Sequence, residues 1–488
     1  MKSYCKEDFI ATINADAHNN DDKRRRLKNL DCFVLDNSLR ESTVGQVRGH
    51  TLSDKFEIHD EVTRCGFRNF IVAAFSDNPR VDDSFLQMLA AKDKITEGMY
   101  AFSEVAIDKR NVPVGLAKMK TYGIRNPVLE VDLANPSLFE GDQAISMSLF
   151  CEYLEHWITW SQDNLPSAGG EQNLFVNIRD FPFAISAFPE RVFDLINALS
   201  SLPGNLKPSG IMYEEPTGAC FSFEMASWTA ATRACMDRCG WTAGHLLAHV
   251  HEKWGMAQQV QLECLASGAN GIWAGLSNEG AAFDHAGSAI TLMMLWRLGN
   301  KKILQRYNCE ALRSAAMNVA RITTGVNPAP KHPLYGSRAL DFVFDFGGIA
   351  GGNDADTFAL ADFFGIEAPV RISTLASNAM IVKRLQHVFG QNDQFNLDMA
   401  AKMHNLMIVD LTENKKENYM KARALADLFS RAGGSVTNEM LKNGARLDYT
   451  YTILMFALLG LVGFLFAFLL KREDKKNFNS ILEQPEIA

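Results

Sequence analysis

The sequence predicts an α/β chain whose main domain is a (β/α)8 barrel, and three observations carry that expectation. Eight short apolar runs alternate with helix-length amphipathic segments over about 250 residues, the spacing at which each strand feeds a crossover helix and returns parallel. The seventh run ends in His249-Val250-His251. The first ends in the charged cluster DNSLRE, residues 36–41. Polar residues at the carboxyl ends of apolar strands are where barrel enzymes keep their sites. A doubly wound open sheet accommodates the same alternation and is the competing architecture.

Residues 1–29 are polar, include Lys23-Arg24-Arg25-Arg26 and contain no apolar signal core. Strands are expected at 31–36 (DCFVLD), 67–75 (FRNFIVAAF), 100–106, 128–133, 173–178, 210–215, 246–251 and 270–276, because strands buried on both faces read as near-continuous apolar runs. Segments 144–161 and 225–239, and one running to Ala269, carry helical periodicity. Residues 292–324 read as helical, and 325–335 (GVNPAPKHPLY) form a Pro-rich break. The Gly-rich stretch 347–352 lacks the Lys-Ser/Thr of a phosphate loop. The expected organisation is a polar segment (1–29), a catalytic barrel (30–300), a mainly helical post-barrel subdomain (301–445), an apolar span (449–470) and a polar tail (471–488).

Residues 449–470 contain no charge, and their length suffices for a hydrocarbon core of about 30 Å. Tyr449 and Tyr451 flank one end, and Lys471, Arg472, Lys475 and Lys476 the other, as interfacial anchors do. A single-pass C-terminal membrane anchor is expected. The basic flank favours a cytoplasmic tail, whereas the lack of an export signal and the dispersed cysteines favour a cytosolic large domain. The second placement is the expectation adopted.

With 47% hydrophobic and 22% charged residues the composition is that of a globular protein. The net charge of -8, without a basic stripe, excludes nucleic acid as the main partner. Nine cysteines lie scattered; Cys235 and Cys239 are one helical turn apart with no second pair to complete a zinc site.

Residues two apart on a strand face one side, so His249 and His251 can together chelate a divalent cation, the alternative being two structural histidines at a strand end. In a closed barrel the ends of the first and seventh strands line one mouth. A carboxylate beside the two imidazoles makes an open site for Mn, Mg, Zn or Fe. Arg40 stands where a guanidinium clamps a carboxylate or stabilises an enolate oxygen, although an Arg-Glu pair is also an ordinary ion pair. Such a cation binds a 2-oxo acid through its carboxylate and carbonyl oxygens.

The run LDNSLRES (35–42) resembles the D-x-T-L-R-[DE] motif of the DRE-TIM metallolyase superfamily, and HVHEKWGMAQQVQLECLASGANGI (249–272) resembles its H-x-H-N-D-x-G-x-A-x-A-N motif. That superfamily contains isopropylmalate and homocitrate synthases, hydroxymethylglutaryl-CoA lyase, hydroxy-oxovalerate aldolases and biotin-dependent carboxyltransferase domains. The resemblance covers about residues 30–300, with both motifs in order. It implies a (β/α)8 barrel with Glu41, His249 and His251 as metal ligands and Arg40 as the enolate-stabilising arginine; Glu after Arg is most like homocitrate synthases. YEEPTG (213–218) looks like the synthases' P-D-T-x-G, which implies substrate contacts from Glu215 and Thr217. GLSNEG (275–280) and HAGS (285–288) are similar to G-x-G-E-x-A-G-N, with Ser288 in the place of Asn.

The chain departs from the family pattern at several places. Ser42-Thr43-Val44 replaces G-E-Q, leaving Gln46 as the substitute glutamine, and Glu252-Lys253 replaces Asn-Asp. Val44 stands where aldolases carry a histidine. Asp345 and Ala350 occupy the two histidine places of the synthases' post-barrel F-x-H-x-S-G-I-H, so Asp345 is the candidate base, a role that requires desolvation to raise its pKa. The implied activity is a metal-dependent acyltransferase condensing acetyl-CoA with a 2-oxo acid. The reverse C–C lyase or aldolase and a non-catalytic membrane-tethered scaffold are the alternatives. A homodimer is implied by the synthases. Phe139, Phe181 and Trp273 are pocket-lining candidates, each also readable as barrel-core packing.

Overall fold

The structure, a computed structural model, describes residues 6–41, 49–166, 172–278, 280, 283–341, 360–361, 363–366, 372–415, 419, 421–437 and 450–476. The chain divides into two compact units, Met1–Ala339 and Leu340–Ala488.

In the first unit the apolar runs become parallel strands β1 (Phe33–Asp36), β2 (Phe70–Ala74), β3 (Met99–Glu104), β4 (Asn126–Val131), β5 (Phe175–Ile178), β6 (Gly210–Glu215), β7 (His245–Glu252) and β8 (Gly271–Ala274). Each falls on an expected run. Their order is β6-β5-β4-β3-β2-β1-β8-β7, and β6 pairs with β7, so the sheet closes on itself. Closure makes this a (β/α)8 barrel and excludes the open doubly wound sheet. At the seam, Phe33 to Asp36 of β1 run alongside Gly271 to Ala274 of β8. A Cβ at Gly271 would lie 2.5 Å from the Phe33 carbonyl oxygen, so this approach requires glycine.

Alternation along the strands sends Leu35, Ile71, Tyr100, Phe102, Val128, Phe175, Met212, Leu247 and Trp273 into one interior cluster. Each such burial stabilises by roughly 2–3 kcal/mol before entropy is counted. The next inward positions toward the strands' carboxyl ends form the mouth.

The helix expected at 144–161 is Met147–Asn164, started by Ser146 Oγ accepting from the Leu149 N–H at 3.1 Å. Residues 292–324 divide into the helices Ser288–Arg297, Lys301–Arg306 and Cys309–Thr324, because the chain turns at Gly299 (φ 82°) and again at Tyr307 to bind β1. The Tyr307 hydroxyl donates to the Cys32 carbonyl at 2.9 Å and accepts from the Val34 N–H at 3.1 Å. The Asn300 amide donates to the carbonyls of Leu27 and Leu30, both at 2.8 Å. Within the polar N-terminal stretch, Lys6–Asn29 is a helix held to the barrel by Arg26, which donates to the Leu265 carbonyl at 2.9 Å, and by Lys23, paired with Glu263 at 2.8 Å.

In the second unit the helices Asn378–Phe389, Leu397–Thr412 and Ala422–Arg431 enclose a core that includes Ile381, Met403, Leu425 and Phe429. The helix Thr450–Lys476 contains a stretch, Met455–Glu473, with mean hydropathy 1.9 and none of it buried. It is long and apolar enough to cross a membrane.

Candidate metal centre at the barrel mouth

The interior register that buries Met212 and Leu247 also turns Glu214 of β6 and His249 and His251 of β7 into the mouth, with Glu214 directly beside His249 in the β6–β7 ladder. One ligand atom from each of Glu214, His249 and His251 lies within 4.8 Å of the others. His249 Nε2 and His251 Nε2 are 3.1 Å apart, and Glu214 Oε1 is 3.3 Å from His251 Nε2. His249 Nδ1 lies 2.7 Å from the Trp273 carbonyl oxygen. That bond assigns the proton to Nδ1 and leaves the Nε2 lone pair facing the cluster.

Electrostatics prepare the group for a cation. Burial, with His251, His285 and Arg40 nearby, holds the His249 imidazole well below its ordinary pKa and therefore neutral. Burial alone would raise Glu214, but the hydrogen bond and charge of His251, backed by Arg40 and Arg179, hold its carboxyl below the usual range. A carboxylate facing two imidazole nitrogens at these distances fits Mn, Zn or Fe(II). His251 Nδ1 and His285 Nε2 are buried with no hydrogen-bond partner among the described residues. His285 belongs to β9 (Asp284–His285), antiparallel to the end of β7, and its ring centroid is 5.3 Å from that of His249. Burial drives its pKa down to about 3.

Arg40 reaches this mouth because the turn after β1 is tightly built. Asp36 accepts from the Ser38 N–H at 2.9 Å and the Ser38 hydroxyl at 3.1 Å, and Ser38 Oγ accepts from the Leu276 N–H at 2.8 Å. Beneath it, the fully buried Lys55 ammonium pairs with Asp82 and donates to the Leu39 carbonyl at 2.6 Å. The Arg40 guanidinium carbon then lies 4.6 Å over the Phe102 ring and 5.6 Å over the Trp273 ring. Across the mouth, burial raises Glu130, offset in part by Arg179 at 3.5 Å and by Arg40. Arg40, Arg80, Phe102, Glu104 and Glu130 border a cleft of about 470 Å³. Asp132, Arg179, Asp180 and Glu214 border a second of about 410 Å³. Asn177 of β5 is buried, and neither of its amide atoms has a partner among the described residues.

Of the residues singled out from sequence, His249, His251 and Arg40 come together at the mouth. Glu41 follows Arg40 on the short helix Ser38–Glu41, but its side chain, residues 42–48 with Gln46, and Asp345 with Ala350 lie outside the described residues. Glu215 turns onto its own loop, accepting from the Thr217 hydroxyl and from the N–H groups of Thr217 at 3.1 Å and Gly218 at 2.8 Å. Glu252 accepts from the N–H groups of Gly255, Met256 and Ala257, so its carboxylate starts the helix Ala257–Ser267. Ser288 Oγ is buried at the start of its helix without a partner among the described residues. Trp273 stacks on His249, ring centroids 4.1 Å apart. Phe181 packs on Tyr213 at 4.6 Å, and Phe139 meets Phe150 edge-on at 5.5 Å.

Glu214 is the carboxylate that sequence reasoning missed: it named Glu41 as the acidic ligand and gave the neighbouring Glu215 a substrate contact. The signal was present: with Met212 inward, a period of two sends Glu214 to the mouth and Glu215 away.

No family model matches the chain, and no curated protein matches it. Among solved structures it is similar to the hydroxymethylglutaryl-CoA lyase of Pseudomonas aeruginosa, at 12% identity over 62% of this chain and 95% of that one, with a TM-score of 0.47. It is similar to the HMG-CoA lyase of Bacillus subtilis at 16% identity, over 62% and 96% of the two chains, TM-score 0.46. The carboxyl transferase domain of Rhizobium etli pyruvate carboxylase shares 11% identity over 81% of this chain and 63% of that one, TM-score 0.43.

Proposed function

We propose that the chain is a divergent enzyme of the DRE-TIM metallolyase type, dependent on a divalent cation, that joins an acyl-CoA, acetyl-CoA in the first instance, to a 2-oxo acid through an enolate. The reaction is of the isopropylmalate and homocitrate synthase kind. The observation that supports it most is the convergence of Glu214, His249 and His251 at the mouth of a closed barrel, with Arg40 beside them.

When bound, the cation supplies electrophilic polarisation of the 2-oxo acid's carbonyl oxygen. The protein's own groups do the rest. Neutral His249, oriented through Nδ1 by Trp273, and His251 with Glu214 hold the ligand set. Arg40, held over the Phe102 and Trp273 rings, offers a fixed positive charge to the enolate oxygen. Glu215 and Thr217 hold the β6 loop against the substrate. Glu41 is a further ligand, and Asp345 takes the acyl methyl proton. The protein works as a homodimer, anchored by Thr450–Lys476 with its barrel on the cytosolic side.

The test uses the full chain in detergent with Mn²⁺, following free thiol release from acetyl-CoA across a panel of 2-oxo acids. Release that requires one particular 2-oxo acid and is lost in a His249→Ala/His251→Ala variant is the expected result. Bound cation at one equivalent with no release would overturn the condensing direction and favour C–C cleavage of a hydroxy acid by the same groups. No cation bound would favour the non-catalytic scaffold.

A further inference from the structure

The two ends of the barrel show different faces to water. Where the strands begin, the connections 65–69, 91–98, 123–125, 202–209, 239–244 and 268–270 expose no large hydrophobic side chain. Where the strands end, the connection after β5 exposes Phe183 (52%), that after β6 Phe221 (53%) and Phe223 (68%), that after β7 Trp254 (68%), and that after β8 Phe283 (37%). The rings follow an arc of four adjacent strands, β5 to β8, and Phe183 lines the cleft that Glu214 also borders. Phe221 and Phe223 stack with centroids 5.5 Å apart and planes at 7°. The Lys253 ammonium joins the next two, 5.8 Å from the Trp254 ring and 5.1 Å from that of Phe283. The β6 and β7 connections touch, since a Cβ at Gly218 would lie 2.7 Å from the Lys253 nitrogen.

A concentration of exposed aromatic rings at one end of a barrel marks an interaction site, and by itself it suits many partners. Two features on this chain select a lipid bilayer. The helix Thr450–Lys476 has bilayer length, so an anchored chain presents a membrane surface to its barrel at the raised effective concentration of a tether. The arc is also composed as interfacial surfaces are: aromatic rings that sit at headgroup depth, with a lysine among them whose ammonium meets phosphate while its stem lies on the rings. We propose that this arc is a bilayer-docking rim, on which the mouth of the barrel rests against the membrane interface. The proposal rests on reading Thr450–Lys476 as the anchor.

The experiment reconstitutes the full chain into vesicles of phosphatidylcholine with a minority of phosphatidylglycerol, with and without brominated phosphatidylcholine. All seven tryptophans lie in the barrel unit, so the anchor helix contributes no signal. Bromine is expected to quench the share of emission that comes from Trp254, the exposed tryptophan. Trp254→Phe, which keeps an apolar ring, should abolish that quenching, and Phe223→Ser/Phe283→Ser should weaken it with near-UV circular dichroism unchanged. Vesicles that float with protein whose Trp254 is unquenched would overturn the rim while leaving the anchor. Protein that does not float would overturn the anchor, and the rim with it. An unquenched Trp254 in a dimer that Phe223→Ser converts to monomer would assign the arc to a second copy and likewise overturn docking to lipid.

Discussion

His249 is held from two sides by Trp273: its Nδ1 lies 2.7 Å from the Trp273 carbonyl oxygen, and its ring stacks on the indole at 4.1 Å. The backbone contact sets the tautomer and the side-chain contact sets the ring plane, so the two effects are separable. Trp273→Phe keeps the carbonyl and should retain one equivalent of bound cation, while costing about 1–2 kcal/mol of stability from lost core volume. His249→Ala or Glu214→Gln should instead raise the Kd for Mn²⁺ or Zn²⁺ by roughly 100-fold or more. Titration calorimetry beside chemical denaturation checks both.

Chelation should lower the thermal midpoint. A ligand at 100 times its Kd stabilises the folded state by about 2.7 kcal/mol. Scanning calorimetry with and without EDTA should show the shift in the natural chain and none in a His249→Ala/His251→Ala variant.

Arg40 is the charge that faces Glu130, Glu214 and the histidines together. Arg40→Lys keeps the charge but loses the planar stack on Phe102 and Trp273. Turnover should fall by about 10²–10³ with cation stoichiometry unchanged. Steady-state kinetics beside metal analysis reads the two quantities separately.

The pair Lys55–Asp82 is buried on both sides and supports the Leu39 carbonyl just before Arg40. Asp82→Asn leaves a buried ammonium without its counter-charge and should cost roughly 3–5 kcal/mol, whereas Lys55→Met/Asp82→Leu should cost much less. Urea midpoints of the single and double variants decide this.

The barrel was legible in the sequence, while the polar logic of its site was only partly so. Eight apolar runs marked the strands because parallel strands are buried on both faces, while the choice of a closed barrel over an open sheet rested on the β6–β7 pairing that the structure shows. His249 and His251 could be read because both sit on one strand with a period of two. Reading Glu214 as inward and Glu215 as outward needs Met212 placed on the inner face, which the pairing of Glu214 with His249 fixes, since a slip of one residue exchanges inside for outside. Lys55 sits in a helix whose sequence gives no hint of its burial, because the partner that makes burial tolerable comes from a different helix, Val81–Ala90. The helix Lys6–Asn29 was equally hidden, its support coming from carbonyls and carboxylates about 240 residues away.

In the second unit, Arg431 donates to both carboxylate oxygens of Asp410, at 2.6 and 2.7 Å, and Tyr419 donates as well. Arg431, with Tyr419 and Lys415, holds Asp410 well below the carboxylate range. A depressed folded pKa means that the stabilisation is complete above the unfolded value of about 3.9 and is lost as pH falls toward the folded one. Acid unfolding followed by helical circular dichroism should begin at higher pH in Arg431→Met than in the natural chain.

The bonds from Asn300 and Tyr307 to Leu27, Leu30, Cys32 and Val34 set a timetable for the nascent chain. At about 5–20 residues per second, β1 waits tens of seconds for the segment that completes it, and during that interval its edge is open to chaperones or to pairing with the wrong strand. The barrel can close once residue 307 has left the ribosome, before the apolar helix Thr450–Lys476 has been made. On the reading of Thr450–Lys476 as an anchor, insertion would act on a chain whose barrel unit has already folded, a finished barrel carrying a hydrophobic tail.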